Sequence, residues 1–260
     1  MSAGHRTGTA AVDSLHGGVE SPVAALDEVV KLLAALVFVL AVVATPPRAV
    51  WAFGLYLVAV GSVVALARLP VRVFARRLLV ETPFVLFAAA LPFVGTGPRT
   101  EVLGVSISTA GAWAAWGILA KATLGCATTV VLAWSTPVPD VLRGLERLHV
   151  PKLLVAIAGF MVRYLDVVVG ELHRLQIARV SRGDDARWLW QGRAVAATAG
   201  TMFVRSFERG ERVQQAMLSR GFTGTFPSTG PTVQRACWWP ALLWPASAVA
   251  VAAVANVAAL

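Results

Sequence analysis

Long apolar runs, separated by a few prolines and clusters of arginine, constrain this chain more than any other feature. A helix needs about 20 apolar residues to span the hydrocarbon core of a bilayer. The first run extends from about Val29 to Ala44, directly after Asp27 and Glu28, and stops at Thr45-Pro46-Pro47, because proline cannot continue a helix. A second covers Ala49 to Ala67, with Trp51 and Tyr56 as interfacial anchors near its outer end. A third, roughly Leu78–Val94, carries Pro83 and Pro92 and closes on Gly95-Thr96-Gly97-Pro98. The fourth runs from about Ile107 to Trp134, and the last, Ala236 to Leu260, is almost wholly Ala, Val, Leu and Trp. Apolar residues make up 57% of the chain and charged ones 14%, against about 45–50% and about 25% in soluble domains. That balance excludes disorder, a collagen-like fibre and a disulfide scaffold. It also argues against a soluble enzyme, whose core could not hide so much apolar surface. The expected fold is an all-α integral membrane protein with about five transmembrane helices.

The few charges are lopsided. There are 23 Lys+Arg against 14 Asp+Glu, a net charge of +9. Positive residues collect on the cytoplasmic side of membrane proteins. Arg68, Arg72, Arg76 and Arg77, read as a loop after the second run, are therefore inside. The amino terminus is then inside as well, and the Pro46-Pro47 and Gly95–Pro98 turns outside. Arg143, Arg147 and Lys152, after the fourth run, fall inside again. One more apolar stretch, Leu153–Gly170, is interrupted by Arg163 and Asp166. If it crossed, nine arginines from Arg174 to Arg220 would be exported, so it is expected at the interface. Four segments result: a cytosolic tail over 1–25, a four-helix membrane region over 26–138, a cytoplasmic or interfacial insert over 139–224, and a linker with the final span over 225–260.

The insert holds 13 Lys+Arg and 8 Asp+Glu, which accounts for just over half of the net charge. Its pattern is helical. Phe203, Phe207, Gly210, Val213 and Met217 follow steps of three and four residues and make one apolar stripe. Glu208 and Arg212 stand at i,i+4 spacing on another face. An earlier helix is expected from Pro151 through Glu171, Leu172, Leu175 and Ala178 to Arg182. Both helices end alike, on Ser181-Arg182-Gly183 and Ser219-Arg220-Gly221. Glycine after a last turn is a common helix stop. An arginine just before it projects beyond the helix end, either as a solvated charge favoured by the helix dipole or as a fork that enters a partner's groove.

The stretch from Phe203 to Phe222, FVRSFERGERVQQAMLSRGF, resembles the second coupling-helix signature of the T component of energy-coupling factor (ECF) transporters, in wording closest to the cobalt-type branch. Arg163-Tyr164 together with Ile177-Ala178-Arg179-Val180-Ser181-Arg182-Gly183 is similar to the first signature. Val30-Lys31-Leu32 and the connector from Thr136 to Pro151 fit as well, so the resemblance covers about Leu26 to Gly224. It implies a non-catalytic scaffold of an ABC-type importer in the plasma (inner) membrane. Two cytosolic ATPases would dock on the coupling helices, and a separate S-type membrane subunit would capture the substrate, with cobalt or another divalent metal favoured and a vitamin the alternative. The family motif is Ala-Arg-Gly, twice. Carried over, the docking arginines are Arg182 and Arg220, with Ser181, Gly183, Ser219, Gly221, Ala178 and Arg179 around them, and Ser181 and Ser219 stand where the family has alanine.

Other residues carry weaker signals. Lys121 lies near the middle of the fourth run, where a charge costs at least about 2.5–3.5 kcal/mol. It either partners a carboxylate such as Glu81 or Asp166, or another subunit, or is satisfied by backbone carbonyls. Arg163 with Asp166, and Glu171 with Arg174, have the spacing of local ion pairs. Asp184-Asp185 reads as a solvated loop. Cys126 and Cys237 read as small buried hydrophobes, and His5, His16, His149 and His173 lack metal-ligand spacing. There is no G-x-x-x-x-G-K-[ST] run for a nucleotide, so no cofactor is expected. Trp188, Trp190, Trp238 and Trp239 fit interface anchoring better than nucleic-acid stacking. A self-sufficient secondary transporter or channel would show inverted repeats and polar residues gathered at mid-membrane. A membrane-embedded enzyme would show a catalytic cluster. Neither signal is present in the sequence.

Overall fold

The computed structural model describes residues 21–95, 98–102, 105–183, 192–222 and 239–258. They form two units, 21–144 with 239–258, and 145–222. The expected tail over residues 1–20, Asp184-Asp185, Trp188, Trp190, Cys237, Trp238 and the first residues of the last run lie outside the described residues.

In the first unit, helix α1 (Glu28–Ala44) opens where Asp27 caps it, the carboxylate accepting from the Val29 amide at 2.9 Å. It closes before Pro46, with Thr45 Oγ1 donating back to the Ala41 carbonyl at 2.8 Å. Helix α2 (Val50–Leu66) ends on Arg68, which adopts a left-handed φ of 52°. Arg72, Arg76 and Arg77 then depart from the sequence expectation. They ride on a short basic helix, α3 (Val71–Leu78), which runs through a single 3-10 turn (Leu79–Glu81) into α4 (Thr82–Val94). Arginines are good helix formers, so a cationic segment without glycine between Pro70 and Pro83 stays helical. The chain after Gly95 departs from the expectation of a simple turn. From Pro98 it enters a hairpin of β1 (Arg99–Val102) and β2 (Val105–Ser108), paired antiparallel with Arg99 opposite Ser108. Ser108 then caps α5 (Thr109–Ser135), accepting from the Gly111 amide at 3.3 Å. Helix α6 (Val138–Arg147) follows Pro137, and its Gly144 passes close to the Leu32 side chain.

The core of this unit joins distant parts of the chain. Helix α9 (Trp239–Val257) packs on α1 and α2. Phe38 stacks on Trp244 with ring centroids 4.3 Å apart and meets Tyr56 edge-on at 5.6 Å. The buried Tyr56 hydroxyl lies 2.9 Å from Thr45 Oγ1 and donates to the Ala248 carbonyl at 3.3 Å. Outward faces remain apolar, among them Leu57 (65% exposed) and Leu86 (68%), as lipid contact requires. Helices over 71–94, Thr109–Ser135 and Lys152–Ser181 are both long and apolar enough to cross a membrane, and Val50–Leu66 and Leu242–Val257 are apolar but shorter. The chain is an all-α integral membrane protein apart from the small hairpin.

Lys121 finds its partner through a mismatch of lengths. At 1.5 Å per residue, the 17-residue α1 is about 25 Å long and the 27-residue α5 about 40 Å. A residue halfway along α5 therefore lies level with the end of α1. Lys121 Nζ donates to the Val43 carbonyl at 2.7 Å, one of the terminal carbonyls that a helix leaves unpaired. Lys31 does the reverse, donating to the Ser135 carbonyl at the end of α5 at 3.2 Å and to Ala24 at 3.2 Å. Glu81, one of the carboxylates considered for Lys121, accepts instead from Thr123 at 2.8 Å.

The second unit holds two long helices, α7 (Lys152–Ser181) and α8 (Gly192–Leu218). The first has the bounds that the sequence suggests. The second begins well before Phe203, because the intervening Ala-Val-Ala-Ala-Thr-Ala run is strongly helix-forming.

Candidate functional site

Both Ser-Arg-Gly stops have the same local geometry. In α7 the Arg182 amide donates to Arg179 at 2.9 Å and the Gly183 amide to Val180 at 3.0 Å. In α8 the Gly221 amide donates to Leu218 and the Phe222 amide to Met217, each at 3.0 Å, which completes a Schellman motif. Gly183 and Gly221 share a φ of +78°, the left-handed region that glycine enters without a Cβ penalty. The serines bond back into their own helices, Ser181 Oγ to Ile177 at 2.9 Å and Ser219 Oγ to Ala216 at 3.0 Å. Arg182 and Arg220 are exposed, and neither side chain has an ion-pair or hydrogen-bond partner among the described residues.

The helices are antiparallel. Arg179 Nη1 lies 3.5 Å from Thr198 Oγ1, and Glu171, two turns earlier on α7, meets Arg205 and Arg209 further along α8. Beyond that, Phe160, Tyr164 and Val168 of α7 line an 810 Å³ groove with Gly210, Val213 and Met217 of α8. The order runs in opposite senses on the two helices, so Arg182 and Arg220 stand at opposite ends of the pair. Roughly 20 residues of α8 separate the Thr198 level from Arg220, which at 1.5 Å per residue puts the arginines on the order of 30 Å apart.

The residues expected near the docking arginines divide. Ala178 is exposed. Arg179 turns toward α8 and Thr198. The apolar stripe divides too: Gly210, Val213 and Met217 line the groove, while Phe203 (72% exposed) and Phe207 (61%) are exposed outside its lining. The expected Arg163–Asp166 pair does not form among the described residues; on an exposed helix face, side-chain entropy offsets the gain from a single surface pair. Glu208 and Arg212 lie 3.9 Å apart, as their spacing suggests.

Sequence reasoning missed the role of Glu171. Its carboxylate accepts from Arg174 at 2.7 Å on its own helix and from Arg205 at 2.5 Å across the interface, and Arg209 stands 4.0 Å away. The glutamate side chain is 15% exposed, against 34–65% for the three arginines. The i,i+3 spacing to Arg174 was legible; the two cross-helix partners required the fold.

Comparison with known proteins bears on most of the chain. The CbiQ family model, described as cobalt transport protein, matches residues 20–231. This chain belongs to the CbiQ family. A cobalt transport protein CbiQ of Rhodobacter capsulatus is 27% identical over 176 residues, covering 64% of this chain and 69% of the relative. A fused cobalt transport protein CbiMQ of Methanocorpusculum labreanum is 24% identical over 107 residues, covering 41% of this chain and 18% of that protein. An uncharacterised protein of Methanocaldococcus jannaschii is 27% identical over 100 residues, 38% of this chain and 37% of its own. As a CbiQ-family member the chain is a multi-pass membrane component of cobalt transport. The family match takes in α1 through α8 and both Ser-Arg-Gly stops, and ends before α9.

Proposed function

We propose that this CbiQ-family protein is the coupling subunit of an ECF-type importer, a non-catalytic scaffold that passes the motion of two ATPases to a separate substrate-capturing membrane subunit. The observation that carries the reading is the pair of Arg-Gly stops. Two exposed guanidiniums, each fixed by a glycine-capped helix end, stand about 30 Å apart and have no partner among the described residues. A guanidinium on a rigid helix end suits fork-like bonding to carboxylates or carbonyls in a groove. Two of them at opposite ends of one helix pair suit two separate ATPase subunits.

The mechanism follows from that geometry. ATP binding draws the ATPases together, their grooves carry Arg182 and Arg220 with them, and α7 and α8 transmit the displacement. Coupling arises because the arginines make different contacts in the two states. The exposed Phe203 and Phe207 offer apolar surface to the substrate-capturing subunit. Cobalt is the favoured cargo from the family, and the relative described as a fused CbiMQ protein supports a membrane partner. The arginine distribution supports an orientation with the amino terminus and the helix pair on the cytoplasmic side of the inner membrane.

Removing a buried, hydrogen-bonded arginine from an interface costs roughly 2–5 kcal/mol. The Arg182→Ala/Arg220→Ala double variant should therefore insert normally, lose co-purification with the ATPases and lose cobalt uptake. Full uptake by the double variant would end this reading. Uptake of a vitamin without cobalt would keep the coupling role and change the cargo.

A further inference from the structure

We propose that Glu171 is the positioning residue that holds α7 and α8 in register, with Arg205 and Arg209 as interchangeable partners one helical turn apart. The inference rests on the two-point docking reading for its consequence and on geometry for itself. Among the described residues, Glu171 is the one α7 carboxylate that pairs with α8, and it is the most shielded member of its cluster. It contacts Arg205 directly and holds Arg209, four residues later, at 4.0 Å. Residues four apart lie on the same helix face, just over one turn or about 6 Å along the axis. Moving α8 by one turn along α7 would put Arg209 on the carboxylate in the place of Arg205, keeping one close cross-helix pair and giving up only the longer contact, since Val213 would follow into the position Arg209 now holds. Packed helices can move in one-turn steps of this kind. Arg174, on α7 itself, stays with Glu171 in either register and keeps the carboxylate in place. The two registers would set two separations of Arg182 and Arg220, which is the quantity that two moving ATPases must change.

The experiment uses the full chain in nanodiscs, with Cys126 and Cys237 replaced and spin labels on Gln176→Cys of α7 and Gln215→Cys of α8, both exposed. Pulsed electron resonance should give one or two narrow distances in the parent. Glu171→Gln should broaden the distribution, while Glu171→Asp should retain resolved peaks. Arg205→Gln should stay narrow with the population moved toward one distance, because Arg209 takes over. Arg205→Gln/Arg209→Gln should broaden as Glu171→Gln does. An unchanged distribution in Glu171→Gln, or broadening by Arg205→Gln alone equal to the double variant, would overturn the proposal. In the complete importer, Glu171→Gln should keep ATPase co-purification and lower the cobalt imported per ATP hydrolysed at least several-fold; an unchanged ratio would remove the positioning role. The distances are read without ATPases, so failure of the docking reading, seen with Arg182→Ala/Arg220→Ala, is distinguishable from failure of the latch.

Discussion

Lys31 and Lys121 show how this protein tolerates charge among apolar helices. Each ammonium is delivered to the carboxyl-terminal carbonyls of the neighbouring antiparallel helix, Lys31 to the end of α5 and Lys121 to the end of α1. Those carbonyls have no intrahelical partner, and the helix dipole favours a cation there. One substitution therefore removes a charge and leaves a carbonyl unsatisfied, at roughly 1–3 kcal/mol where the site is buried. Lys31 is only 6% exposed, whereas Lys121 is more open, so Lys31→Ala should lower the unfolding midpoint in detergent more than Lys121→Ala. Neither should alter docking of ATPases by a folded protein. A Lys121→Ala protein that is fully stable yet loses cobalt uptake would show that the lysine acts on a partner instead. Gly111 offers a purely steric contrast. A Cβ built there would lie 2.4 Å from the Leu91 carbonyl oxygen of α4, a backbone atom, so Gly111→Ala should cost about 1–3 kcal/mol through overpacking, read from the same unfolding midpoint.

At the scale of elements, four helix ends share one device with different residues. The helices ending at Arg68, His149, Gly183 and Gly221 all place a residue at positive φ, and only the last two use glycine. A left-handed conformation costs a residue with Cβ roughly 1–2 kcal/mol. His149→Gly should consequently raise stability by about 1 kcal/mol, and Gly221→Ala should lower it by about as much, there being open space around Gly221 so that conformation alone is tested. The readouts diverge: Gly221→Ala, which loosens the helix end carrying Arg220, should also weaken ATPase co-purification, whereas His149→Gly should not. These ends mark what the sequence could and could not reveal. Ser-Arg-Gly was legible because glycine advertises its backbone angle. The stop before Arg68 was legible as the end of the apolar run at Ala67, but its left-handed turn was not, since nothing in the identity of arginine signals that backbone angle. Likewise α7 was legible from its periodicity, but the Glu171 cluster was not, because cross-helix partners depend on which faces meet. The short α3 and the hairpin before α5 were hidden for a similar reason: loop-like charge and glycine composition is compatible with both.

For the whole molecule, the decisive question is which side of the membrane carries the helix pair. Helix α7 has 30 residues, about 45 Å, and is long and apolar enough to cross. None of its residues is buried among the described residues, and Leu153 and Met161 are 70% and 68% exposed, apolar surface that suits lipid or a partner subunit. Length and hydropathy alone favour a crossing. Charge opposes it, because a crossing would move nine arginines from Arg174 to Arg220 outside, against the strong bias of arginine toward the cytoplasmic side. We expect charge to win, since an α7 lying in the interface can bury its apolar faces without exporting any arginine. Single cysteines in a background without Cys126 and Cys237 test this directly. A membrane-impermeant maleimide applied to intact cells should label Arg48→Cys, in the turn after α1, and should reach Arg72→Cys and Gln215→Cys only after permeabilisation. Labelling of Gln215→Cys from outside would mean that α7 crosses, and it would place Arg182 and Arg220 where no cytosolic ATPase can reach them.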